Sequence, residues 1–176
     1  HNPYHDNGIK IFDKNGFKLS DDCQKKIQDL ITNFNSVNDN NVDLLQLQHR
    51  NIYKYFVSSD HLGRVSRLDD AVGRYIENVK RVMPKNSSLQ GIRIVIDCAN
   101  GAGYKVAPTI FQELDAEVIS FGCQPNGTNI NHSCGSMHPS FLAKKVIENK
   151  ADIGIASDGD GDRLLVCDEN GTVVHG

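Results

Sequence analysis

No run of apolar residues in this chain approaches the roughly 20 that a membrane-spanning helix needs. The longest apolar segments, such as Ile92 to Cys98, have the length of a strand. The opening residues His1-Asn2-Pro3-Tyr4-His5-Asp6 offer neither a basic n-region nor an apolar h-region, so no secretory signal is visible. An initiator methionine is also missing, which leads us to expect an excerpt of a longer polypeptide or one from which a preceding segment was removed. Surplus charge is lacking too. Nineteen Lys plus Arg against 22 Asp plus Glu leave a net charge of -3 with neutral histidines, and that supplies no global field for nucleic acid or an anionic membrane. Neither is expected as a partner. The five cysteines, at 23, 98, 123, 134 and 167, form no C-x-x-C pair and are odd in number, which argues against a zinc ribbon and a disulfide framework. Reduced thiols in a cytoplasmic protein are the expectation.

What is present is an ordinary globular composition: 176 residues, 39% hydrophobic and 23% charged, enough for one domain or two small ones with a buried core. Ile9 to Phe12 reads as a strand entering a turn at Lys14-Asn15-Gly16. Ser20 followed by Asp21 and Asp22 reads as an N-cap with acids in the first turn, predicting a helix over Cys23 to Ile31. From Asn33 to Asp43 the Asn- and Asp-rich texture predicts a loop. Helical periodicity returns over Leu68 to Met83 and ends at Pro84. The linker-like Lys85-Asn86-Ser87-Ser88 sets a domain boundary near residue 86, dividing 1–85 from 86–176.

Beyond that boundary strands alternate with helices. Ile92 to Asp97, Glu117 to Phe121, Asp152 to Ala156, Leu164 to Cys167 and Thr172 to Val174 read as strands, with helices over Tyr104 to Leu114 and Pro139 to Asn149. The pattern predicts an α/β fold with a βαβ unit and a right-handed crossover.

The most informative stretch is Ser157-Asp158-Gly159-Asp160-Gly161-Asp162-Arg163. Carboxylates at i, i+2 and i+4, separated by glycines, let a tight loop aim several hard oxygens at one centre, which is the chemistry of a divalent-cation site. The bland alternative is a solvated acidic turn. An EF-hand also deserves comparison, since Glu169 falls at position 12 counted from Asp158. Arg163 at position 6, where that loop needs Gly, and strand-like flanks in place of helices exclude it. Three ligands with open positions suit magnesium shared with a phosphate, to which Arg163 would offer a planar donor fork. Arg163 could equally pair with the aspartates. Gly101-Ala102-Gly103 lacks the third glycine of a dinucleotide fingerprint, because Val106 stands there, and reads as a tight strand-to-helix turn. His132, Cys134 and His138 cluster in sequence, yet their spacing fits no zinc pattern and loop structure is the expectation.

His1-Asn2-Pro3-Tyr4-His5-Asp6-Asn7-Gly8-Ile9-Lys10, Asp97-Cys98-Ala99-Asn100-Gly101-Ala102-Gly103, Asn126-Gly127-Thr128-Asn129-Ile130-Asn131 with Cys134-Gly135-Ser136, and the aspartate loop together resemble the α-D-phosphohexomutases. Gly73-Arg74-Tyr75-Ile76-Glu77 and Asp6-Asn7-Gly8-Ile9-Lys10 make the chain most similar to their bacterial phosphoglucosamine mutase branch. The resemblance implies mixed sheets sandwiched by helices, covering two of such a protein's four domains, the first incomplete. It implies a phosphoserine immediately before His1, outside the given residues, that passes its phosphoryl group to a hexosamine phosphate and recovers it from a bisphosphate intermediate. Lys10 would be the general acid/base, His1 would shape the phosphoserine surroundings, and Asp158, Asp160 and Asp162 would hold Mg2+. Arg163 would contact the phosphoryl region, and a hexose 1,6-bisphosphate would act as activator. A neutral-sugar mutase is the neighbouring reading, and a non-catalytic metal- or phosphate-binding module is the reading from another class. Because the sugar-reading and phosphate-clamping loops of the family lie outside the given residues, the 176 residues alone are expected to be inactive.

Overall fold

A computed structural model of the chain describes residues 1–35 and 57–174. It divides into two compact units, one formed by His1–Asn7 with Leu68–Gly176 and the other by Gly8–Arg67.

In the larger unit, β1 (Arg93–Asp97), β2 (Glu117–Phe121), β3 (Ile153–Ser157), β4 (Leu164–Asp168) and β5 (Val173–Val174) form a single sheet in the order β2-β1-β3-β4-β5. β1 pairs in parallel with β2 and β3, whereas β4 and β5 add antiparallel. The unbroken Ile94-Val95-Ile96 run suits the centre of such a sheet, where both faces are covered. Val95 packs on one face with Leu142, Val146, Ala151, Ala156 and Cys167, and Ile94 and Ile96 are buried on the other. The helix α3 (Val106–Glu113) crosses from β1 to β2 and packs on β2, and α4 (Pro139–Asn149) crosses from β2 to β3 and lies over β1, β3 and β4. Proline at the start of α4 costs nothing there, and Lys150 ends the helix in the left-handed conformation. Gly154 in β3 lets α4 come close, because a Cβ at that position would sit 2.5 Å from Val146 Cγ2 and 2.6 Å from Cys167 Sγ.

The helix α2 (Ala71–Lys80) docks on α3, where Lys80 Nζ bridges Glu77 at 2.8 Å and Glu113 at 2.7 Å. The strands and helices read from the sequence beyond residue 90 recur here with ends shifted by at most two residues.

In the smaller unit α1 (Asp21–Asn35) begins as expected, with the Ser20 Oγ accepting from the Cys23 N–H at 3.4 Å. It runs to Asn35, past the expected end at Ile31, helped by a Gln28–Thr32 side-chain bond one helical turn apart. The rest of the expected Asn-rich loop lies outside the described residues. Ile9 to Phe12, read as a strand, forms only one antiparallel bridge, Phe12 with Lys18. Among the described residues no third strand joins this hairpin, and a lone hairpin has little to hold a ladder. No described helix is long and apolar enough to cross a membrane.

Candidate metal centre

The order β2-β1-β3 means that the chain leaves β1 toward one side and reaches β3 on the other. In sheets of this kind ligands bind outside the carboxyl ends of the two strands where the direction reverses. Here those ends carry Asp97-Cys98-Ala99-Asn100 after β1 and Ser157-Asp158 opening the aspartate loop after β3.

The β1 end is shaped by a buried carboxylate. Asp97 Oδ1 accepts from the Ala99 N–H at 3.0 Å, and Oδ2 accepts from the Gly135 N–H at 2.6 Å. Charge-assisted bonds of this kind are among the stronger ones. They hold Ala99 and Asn100 in left-handed backbone, at φ 53° and 51°. Such residues concentrate at functional sites. From there the Ala102 N–H donates to the Gly159 carbonyl at 2.8 Å, tying the β1 turn directly to the aspartate loop. Gly101 is the residue that permits this approach: a Cβ on it would strike the Gly159 backbone. The G-x-G pattern therefore serves a main-chain contact, in keeping with a tight turn.

Within the loop, carboxylate oxygens of Asp158, Asp160 and Asp162 lie within 4.8 Å of one another. Among the described residues no other group of three or more His, Cys, Asp or Glu is placed to share an ion. Asp158 is buried, while Asp160 and Asp162 are exposed. Asp158 Oδ2 accepts from the His1 nitrogen at 3.0 Å and its Oδ1 from the Arg163 N–H at 3.1 Å. A buried carboxylate beside two exposed ones is a hard-oxygen set with open positions, and it fits magnesium.

His1 lies at the loop through its backbone nitrogen, and the Arg163 side chain is exposed at the loop's far end. Lys10 belongs to the smaller unit, where it lines a pocket of about 250 Å³ with Ile9, Leu19, Gln24 and Ile27. His132, Cys134 and His138 are not gathered around one point. His132 and Cys134 instead line an open groove of about 740 Å³ beside β2, with Asn100, Cys123 and Asn129. Its amides satisfy one another: Asn100 accepts from the Gln124 N–H and donates to the Asn129 carbonyl. Burial pushes the Cys134 thiol up to about 11 and, with Cys123 and Asp97 beside it, pushes Cys98 higher still. The five cysteines are all free thiols. Sequence reasoning assigned no role to Asp97 or Asn131. Both stood only within the stretches that carry the family resemblance, Asp97 closing an apolar strand and Asn131 ending Asn129-Ile130-Asn131.

The family model "Phosphoglucomutase/phosphomannomutase, alpha/beta/alpha domain II" matches residues 73–171, and that of domain I matches residues 1–37. The chain belongs to this phosphohexomutase family. It is 51% identical over 176 residues to the phosphoglucosamine mutase of Rhizobium johnstonii and 52% identical to that of Rhizobium leguminosarum bv. trifolii. The phosphoglucosamine mutase of Brucella anthropi is 51% identical. In each case the match takes in the whole of this chain but spans 35% of the relative's length. A crystal structure of a phosphoglucomutase/phosphomannomutase family protein from Burkholderia thailandensis superposes with a TM-score of 0.50 at 28% identity, over 59% of this chain and 23% of that one.

Proposed function

We propose that the chain is the metal-binding part of a phosphoglucosamine mutase, interconverting glucosamine 6-phosphate and glucosamine 1-phosphate in the cytoplasm through a phosphoserine and a bisphosphate intermediate. The observation that carries this reading is the gathering of Asp158, Asp160 and Asp162 at the switch point beside His1. Magnesium bound by these three carboxylates would supply charge neutralisation for a phosphoryl group.

The chain's own residues take the remaining tasks. The His1–Asn7 segment holds the approach to the loop, and Arg163 offers donors to phosphoryl oxygens. Lys10 moves the proton at the sugar hydroxyl. Phosphoryl transfer asks mainly for positioning and electrostatic stabilisation, which this arrangement can provide. A hexose 1,6-bisphosphate primes the serine. Identity near 50% to named phosphoglucosamine mutases supports the amino sugar as substrate. The breadth of the matching family keeps a neutral hexose phosphate as the second reading.

The test is an assay of the polypeptide of the relatives' length that carries this sequence, with magnesium and hexose bisphosphate, on amino and neutral sugar phosphates. Turnover should favour glucosamine phosphate and vanish in Asp160→Ala. The 176 residues alone should be inactive, and turnover by them would overturn the division of labour proposed here.

A further inference from the structure

One side chain outside the carboxylates joins three pieces of the candidate site. Asn131 has φ 57°, a left-handed conformation that asparagine tolerates better than most residues. Its N–H donates to the Ala99 carbonyl at 2.9 Å, and Ala99 is itself fixed by the buried Asp97. Its side-chain Nδ2 donates to the Asn2 carbonyl at 2.9 Å. The same nitrogen lies against the aspartate loop, since a Cβ on Gly159 would come within 2.8 Å of it.

A bond from the His1–Asn7 segment to this loop itself runs from the His1 nitrogen to Asp158 Oδ2. That acceptor belongs to a candidate metal ligand, so a bound cation would compete for it. The Asn131 bond to Asn2 uses no ligand atom.

We propose that Asn131 is a positioning residue that keeps the His1–Asn7 segment seated on the Asp158–Asp162 loop, with or without a cation bound there. Its importance for phosphoryl transfer rests on the function proposed above, whereas the seating itself does not.

Two variants separate backbone from side chain. Asn131→Gly keeps the left-handed backbone and the bond to Ala99 but removes the amide. Asn131→Asp keeps the shape and replaces a donor by an acceptor facing the Asn2 carbonyl. In the metal-free 176-residue chain, ¹⁵N relaxation should give order parameters near the rigid value of about 0.85 for Asn2 and Tyr4 to Asn7, falling below about 0.6 in both variants. The amides of β1 and β3 should not change, which a general loss of structure would not allow. With Mn2+ added, paramagnetic broadening should reach the Tyr4 and His5 signals in the wild type and be lost in Asn131→Gly at unchanged Mn2+ affinity. Wild-type order and broadening in both variants would overturn the proposal. Failure of the wild-type chain to bind Mn2+ would instead sink the metal-site reading, and the metal-free relaxation would still decide the role of Asn131.

Discussion

The turns Asp13-Lys14-Asn15-Gly16-Phe17 and Asp168-Glu169-Asn170-Gly171-Thr172 are built from the same bonds in the two units. In each, the aspartate Oδ1 accepts from the N–H two residues on, at 2.8 and 3.0 Å, and from the N–H four residues on, at 3.0 and 2.7 Å. In each, the glycine N–H returns to the aspartate carbonyl at 3.0 Å, with φ of 83° and 77°. Their surroundings differ. The second turn joins β4 to β5 in a five-stranded sheet, and a Cβ on Gly171 would lie 3.1 Å from Ile147 Cδ1. The first closes a single bridge, and a Cβ on Gly16 would meet nothing within 4 Å. Near it Ile9 is 89% and Phe17 72% exposed, and none of the described residues of that unit is buried. Local turn chemistry is thus the same in both places, and what separates them, among the described residues, is whether a sheet and helices bury the flanking side chains.

The largest effects should therefore fall on one side. Leu142→Ala, at a fully buried position on the inner face of α4, should cost about 2–5 kcal/mol in urea unfolding, whereas Leu30→Ala on the exposed face of α1 should change stability by no more than about 0.5 kcal/mol. Equal costs would break the comparison. Next, Asp97→Ala should lose about 1–3 kcal/mol for each of the two buried N–H groups it strands, and should weaken Mn2+ binding at a loop it does not touch. Smaller is the contrast between the turns. Gly16→Ala and Gly171→Ala should each cost about 1–2 kcal/mol for left-handed backbone, with Gly171→Ala the more costly because Ile147 and Ala143 must also give way. Thermal unfolding followed separately through sheet and helix signals would show it.

The smallest effect is one of pH. Hydrogen bonds from the Thr172 and Asn170 N–H groups hold the Asp168 pKa below 3.8. Its contribution is therefore complete above the unfolded value and fades as pH falls through the lower folded one. Asp168→Asn should flatten that part of the acid limb in a series of unfolding curves, and an unchanged slope would remove Asp168 from the account.

Much of the larger unit could be read because each of its elements writes its own period. The bounds of β2 and α4 follow from a β-branched run and from a proline opening an amphipathic stretch. The clustering of the three aspartates could be read for the same reason, since a loop of five residues carries all three carboxylates. What holds the loop in place could not. The Asp97–Gly135, Asn131–Asn2 and His1–Asp158 bonds join residues 38, 129 and 157 positions apart, and spacing rules inform only over a few turns of chain. In the smaller unit the expected strand at Ile9–Phe12 shrank to one bridge for the complementary reason: alternation marks one face of a ladder but not how far a partner will pair along it.

The bond between His1 and Asp158 also has a consequence for the order of events during synthesis. At about 5–20 residues per second, a ribosome needs about 8–30 s to add the 157 residues that separate the two groups. Until then the nascent chain can build its β1-α3-β2 unit but cannot close the acidic loop against His1. Seating His1 on the loop is thus reserved for a chain that has emerged as far as the strand beyond it, which makes that bond a late marker of successful folding.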